Sequence, residues 1–137
     1  MITLRKDAHD GSLTAGLAQI IGYLRTRPYG DIVNGVEKAL RGAADEFVAK
    51  LAAHLRHEEE VLFPALRKSV PEAGPEIAHL EEEHQLLQIY ATDLAFRIHS
   101  KDVEGAVEVS RSFLAALFDH IDRERKVVDE RLNLTSP

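Results

Sequence analysis

The helix-breaking residues of this chain are few and grouped, and their placement constrains the fold more than any other feature. They fall at Arg27-Pro-Tyr-Gly30, at Val70-Pro-Glu-Ala-Gly-Pro75 and at Ser100-Lys-Asp102. Between them lie segments of helical length with almost no strand signal. The pattern predicts helices over about 4–27, 32–68, 75–98 and 103–132. Thr3, Asp31 and Asp102 stand where N-caps belong, and Pro75 suits the first turn of the third helix. Gly35 and Gly42 weaken the start of the second helix, where a kink or irregular turn is expected. The tail from Thr135 to Pro137 is expected to fray.

Each segment carries a seam at alternating steps of three and four, the pattern of a helix that buries one stripe against others. The first seam reads His9, Leu13, Gly16, Ile20, Tyr23, and the second Leu40, Ala44, Phe47, Leu51, His54, Glu58, Leu62, Ala65. The third reads Ile77, Leu80, His84, Leu87, Ala91, Leu94, Ile98. The fourth reads Ala106, Ser110, Phe113, Leu117, His120, Glu124, Val127. An all-α, up-down-up-down four-helix bundle follows as the expected architecture. It is expected to form one domain over 1–137, with an ordered core of about 4–132.

Composition removes several function classes. The chain has no cysteine, which excludes disulfides, thiolate metal sites and cysteine nucleophiles. Its formal net charge of −6 comes without a basic stripe, so nucleic acid is not an expected partner. The longest apolar run, Phe113-Leu-Ala-Ala-Leu-Phe118, is too short to span a bilayer, and the N-terminal residues are charged where a signal peptide is apolar. A cytoplasmic protein without a membrane partner is expected; no particular protein partner is indicated.

Histidine stands out, with 7 residues in 137. Polar residues interrupt every seam: His9 in the first, His54 and Glu58 in the second, His84 in the third, His120 and Glu124 in the fourth. Burying such groups without a strong partner costs several kcal/mol each, and a metal ion satisfies all of them together. At about 1.5 Å of rise per residue, the interruptions on neighbouring helices fall within one or two turns of a common layer. The poorest match is between His9 and His54, roughly 27 Å against roughly 35 Å from their shared turn. Spacing within the helices is also chemical. His54 and Glu58 sit one above the other on one face, and His120 and Glu124 repeat the arrangement. Such a pair offers one metal a terminal nitrogen while its carboxylate reaches a second. Imidazole with carboxylate suits Fe, Mn or Zn.

The run His54-Leu-Arg-His-Glu-Glu-Glu-Val-Leu-Phe-Pro-Ala-Leu66 resembles the His-x-x-x-Glu-Glu and Leu-Phe-Pro signature of the hemerythrin-like, or HHE, domain. The other elements follow in order: His9 early in the first helix, Glu83-His84 early in the third, His120-Ile-Asp-Arg-Glu124 late in the fourth. The resemblance covers essentially the whole chain. It implies two Fe ions joined by an oxo or hydroxo bridge, with Zn or Mn as possible substitutes. It also implies His9, His54, His84 and His120 as terminal ligands, and Glu58 and Glu124 as bridging carboxylates. Oxygen carriers of that family have a second histidine four residues from the first on the third helix. Here the positions four away from His84 are Leu80 and Gln88. They also have Asp five residues past the fourth-helix histidine, whereas Arg125 stands there in this chain and Glu124 comes one position earlier. One ligand fewer leaves a more open centre, which favours reaction with a small oxidant over reversible O2 carriage.

The expected function is therefore that of a non-haem di-iron protein that binds or reacts with O2, H2O2 or NO, with catalase-like peroxide scavenging as one form. The alternative is a non-enzymatic iron-binding or oxygen- or redox-sensing module that acts through a protein partner. His57, Glu59 and His79 are subsidiary ligand candidates. Glu59 is also placed to orient His54 or His57 as an outer carboxylate. His99, at a helix C-terminus, reads as a dipole partner. Glu81-Glu-Glu83 reads as a solvated face, and Phe47, Phe63, Phe113 and Phe118 as core or pocket lining.

Overall fold

The computed structural model describes the backbone over residues 6–25 and 34–135, and side chains over 13–25 and 38–129. The described residues are almost entirely helical and contain no strand. Helix α1 spans Lys6–Arg25 and α2 spans Asn34–His57. A single π turn, Glu58–Leu62, joins α2 to α3 at Phe63–Ser69. A 3₁₀ turn at Pro71–Ala73 leads into α4, Gly74–His99, and α5 spans Val103–Thr135. Thr3, the turn around Pro28, Asp31, and Ser136 and Pro137 of the tail expected to fray lie outside the described residues.

The second segment departs from expectation in an instructive way. It does not kink at Gly35 or Gly42, through which α2 runs unbroken. The irregularity comes instead at Glu58, and its cause is Pro64. A proline inside a helix has no N–H to donate, and its ring collides with the carbonyl four residues back. The π turn relieves that collision by inserting an extra residue: the Phe63 N–H reaches the Glu58 carbonyl, five residues back. Val70, held extended at φ −136° before Pro71, then ends α3.

The turn between α4 and α5 is tight. The Asp102 N–H closes it on the Arg97 carbonyl at 2.9 Å, with Lys101 in the left-handed region at φ 63°. The Asp102 carboxylate caps α5 by accepting the Gly105 N–H at 3.0 Å.

Helix α1 packs on α2 and α5, and α4 packs on the same two helices. The seams of α4 and α5 are buried at every expected position. On α2 and α3 the buried face holds Leu55 and Leu66, where His54 and Ala65 were expected. The buried residues form two apolar clusters. The larger includes Leu17, Ile20, Leu51, Leu87, Phe113 and Leu117, with the Phe113 ring between Phe47 and Tyr90 at centroid distances of 5.6 Å and 5.8 Å. The smaller gathers Phe63, Leu66, Ile77, Leu80, Val127 and Val128 at the other end of α4 and α5. Phe118, expected in the core or lining a pocket, is exposed because it follows Leu117 on a helix whose seam takes Leu117. No helix among the described residues is long and apolar enough to cross a membrane.

Candidate metal centre

Between the two apolar clusters lies a layer of buried polar side chains: Glu58 from the π turn, His84 from α4, and His120 and Glu124 from α5. One ligand atom from each of the four lies within 4.8 Å of all the others. The contacts are close. His84 Nε2 is 3.2 Å from Glu58 Oε1, and His120 Nε2 is 3.2 Å from Glu124 Oε2. The two Nε2 atoms face each other at 3.2 Å, with ring centroids 4.8 Å apart. Phe63, the first residue beyond the π turn, lies against His84 at 5.2 Å and closes that side with an apolar ring.

The outer nitrogens of both imidazoles decide what the inner ones offer. His84 Nδ1 lies 3.1 Å from Glu59 Oε1, and His120 Nδ1 lies 3.1 Å from Glu83 Oε1. An ionised carboxylate only accepts, so each Nδ1 carries its hydrogen and donates it outward. A neutral ring then presents a bare lone pair at Nε2. Both Nε2 atoms point into the space where the Glu58 carboxylate also points, and neither oxygen of Glu58 is aligned with any donor despite the 3.2 Å approach of His84. Buried acceptors with nothing to accept from are strongly unfavourable. The seam hydroxyl of Ser110 shows the contrast, since it donates locally to the Val107 carbonyl at 2.8 Å and needs nothing further.

Two facing nitrogens and a bare carboxylate require positive charge between them. A proton supplies some of it. Burial pushes His120 down, but the Glu124 and Glu58 carboxylates outweigh burial and hold it up at about 9. Burial pushes Glu58 up, but His120, His84 and Glu124, together with the charge of His54, hold it well below the usual carboxylate range. The site thus favours an ionised Glu58 and gathers cationic charge beside it, the electrostatic setting a divalent cation exploits.

The structure brings together four of the expected ligand residues and places the others variously. His54 Nε2 lies 3.4 Å from Glu58 Oε1 at the edge of the layer, partly exposed. His9 belongs to α1, but its side chain lies outside the described residues. His57 is on the surface, and His79 faces solvent beside Glu82. Glu59 touches His84 rather than His54 or His57. His99 pairs across helices with Asp45 at 2.8 Å.

Two residues of the site, Glu83 and Arg123, are not among those expected from the sequence. Glu83 is not part of a solvated face: it is largely buried, bound to His120 and to Arg123. The available signal was its position beside a seam residue, where a side chain meets the neighbouring helix.

Comparison with curated proteins and with solved structures finds no significant match. The family model described as the Hemerythrin HHE cation binding domain matches residues 7–131, which include every residue of this buried layer. With its helical fold and its buried histidine and glutamate layer, the chain belongs to the hemerythrin HHE cation-binding family.

Proposed function

We propose that this chain is a non-haem di-iron protein that binds or reacts with a small oxidant, O2, H2O2 or NO. In this reading two iron ions would be held in an up-down-up-down bundle by the carboxylates of Glu58 and Glu124 and the ring nitrogens of His9, His54, His84 and His120. The observation that carries the reading is the pair of facing Nε2 atoms, 3.2 Å apart, beside a buried Glu58 carboxylate that accepts no hydrogen bond. The donor set is chemically apt as well, since imidazole with carboxylate suits iron.

An iron pair at this position would supply redox-active Lewis-acid centres to a small diatomic or peroxide ligand. The surrounding residues would keep it dry and bound. Phe63, Leu62, Leu80 and Leu117 exclude water around it, and the outward hydrogen bonds of His84 and His120 keep the lone pairs inward. With one histidine fewer on the third segment than an oxygen carrier has, the centre is more open, which favours reaction over reversible carriage.

A second reading, an iron-holding or redox-sensing module that signals through a protein, draws support from one feature. Ile89 and Phe96 stand exposed on one face of α4, among Gln85, Gln88 and Thr92.

Iron content and the visible spectrum of the purified protein test the proposal, first without oxygen and then after air and peroxide. About two irons per chain, lost in His84→Ala and His120→Ala, support it. Equal metal loading in wild type and both variants would sink it. Evolution of O2 from added peroxide favours the oxidant reaction over the sensing reading.

A further inference from the structure

We propose that Glu59 and Glu83 are positioning residues of this centre, each fixing the ring of one histidine from its outer nitrogen, and that Arg123 completes the device by holding Glu83. The inference rests on the reading of His84 and His120 as metal ligands.

The geometry repeats from helix to helix. Consecutive residues of one element lie at the two nitrogens of an imidazole on the next, and the one at Nδ1 accepts its hydrogen. Glu58 lies at Nε2 of His84 while Glu59 lies at its Nδ1. On α4, His84 lies at Nε2 of His120 while Glu83 lies at its Nδ1. Helix α5 returns the contact through Arg123, on the second oxygen of Glu83, while Glu124 lies at Nε2 of His120 on the same helix. Three elements are thereby cross-braced through two rings.

Glu83 differs in exposure from its neighbour on the helix. Its side chain is 17% exposed, against 79% for Glu82. A glutamate held at that depth by a histidine and an arginine is fixed in one orientation.

Fixing the outer nitrogen has a definite consequence. The second torsion of a histidine is broad and roughly two-fold, so a ring without an outer partner is free to turn its Nε2 away. A carboxylate at Nδ1 selects one orientation, fixes the hydrogen on the outer nitrogen and makes the inner one a stronger donor. The two arms are unequal. Glu83 is clamped by Arg123, whereas Glu59 is 41% exposed and shares its charge with water. Loss of Glu83 is therefore the more damaging.

Anaerobic titration of the full chain with Fe2+, in competition with a chelator of known affinity, tests this. Glu83→Ala is expected to weaken Fe2+ binding by about 10–100-fold, the usual range for losing such an outer partner. Glu83→Gln should recover most of the loss, because its amide oxygen still accepts the Nδ1 hydrogen. Arg123→Ala and Glu59→Ala should fall between wild type and Glu83→Ala, and Glu82→Ala should match wild type. The visible bands of Co2+ in the same centre read ligand geometry directly. They should change in Glu83→Ala and be restored in Glu83→Gln, a pattern that a merely structural role would not give.

Should Glu83→Ala bind as tightly as Glu82→Ala, or Glu83→Gln as poorly as Glu83→Ala, positioning is overturned while the metal centre stands. Fe2+ uptake indifferent to His84→Ala and His120→Ala overturns the centre and this inference together.

Discussion

Glu81, Glu82 and Glu83 are chemically identical and consecutive, yet a helix turns each through about 100° from the last, and each meets a different world. Glu81 pairs with Arg67 across to α3, Glu82 faces water beside His79, and Glu83 reaches inward to His120. Charge alone therefore says little about a residue's work; the partner at its tip decides. Asp102 makes the same point where its ionisation can be followed. Its carboxylate takes the Gly105 N–H and the Arg97 guanidinium, at 2.7 Å for the latter, and these hold its pKa below the ordinary value of 3.8. A depressed folded pKa means that the unfolded chain takes up the proton first as pH falls. The contribution is thus present above pH 3.8 and disappears below it, as pH passes through the folded value. Asp102→Asn keeps an acceptor for the cap but not the charge. It should lower the thermal midpoint by about 1–4 °C at pH 7, a difference that shrinks toward zero in scans taken below pH 3.8. Next to it, Lys101 occupies the left-handed region, which disfavours any side chain with a Cβ. Lys101→Gly should raise stability by about 0.5–1 kcal/mol in urea unfolding; a loss would mean that the lysine's own contacts outweigh the strain.

At the scale of elements, the π turn is the decisive departure from regularity. It begins at Glu58, the only buried carboxylate of α2, the π turn and α3 among the described residues, and it delivers Phe63 against His84. Pro64 enforces it. Pro64→Ala restores a donor and removes the ring, so the segment is free to tighten into a plain α-helix and carry Glu58 and Phe63 out of register. The expected outcome is a metal-free protein at least as stable as wild type in thermal unfolding, with Fe2+ binding at least tenfold weaker. Unchanged binding would show that tertiary packing, not proline, sets the turn. The same element marks the boundary of what the sequence could tell. The seams of α4 and α5 were legible at every position, whereas in α1, equally regular, Leu17 and Leu24 are buried where Gly16 and Tyr23 were expected, because steps of three and four leave either neighbour permitted. From Leu51 onward the second segment was not legible either. There His54 and Leu55 both extend the stripe at permitted steps, and the extra residue of the π turn then moves the buried face from Ala65 to Leu66. Pro64 was visible in the sequence, but whether a helix answers an internal proline by kinking, ending or widening depends on what surrounds it. Glu58, His84, His120 and Glu124 were legible as interruptions of apolar stripes. Glu83 and Arg123 were not: each stands beside a seam residue, but its partner lies on another helix, and no single-helix period names that partner.

For the whole molecule, the polar layer divides what would otherwise be one continuous core. Leu55, Leu87 and Leu117 border it on the side of the larger cluster, and Leu62, Leu80 and Val127 on the other. Buried charges held without a cation are costly, and an apolar filling of the same volume is often more stable by about 1–4 kcal/mol. Removing one member alone is different, because it leaves its neighbours uncompensated, at a cost of about 3–5 kcal/mol. In the metal-free protein His120→Leu should therefore be severely destabilised, since Glu58 and Glu124 lose the cationic ring that faces both. Combining Glu58→Leu, His84→Leu, His120→Leu and Glu124→Leu should reverse that loss and exceed metal-free wild type, a non-additivity expected of groups that share one network. Adding Fe2+ anaerobically should raise the midpoint of wild type and leave the fourfold variant unmoved. At a free-metal concentration about 100 times the dissociation constant, the gain is about 2.7 kcal/mol. The order of thermal midpoints then separates two origins for the layer. If the fourfold variant is more stable than metal-free wild type, the fold sustains these residues against its own interest, for what they bind. If the variant is instead less stable than His120→Leu, the layer specifies the packing of the bundle by itself, and its stability needs no cation to explain it.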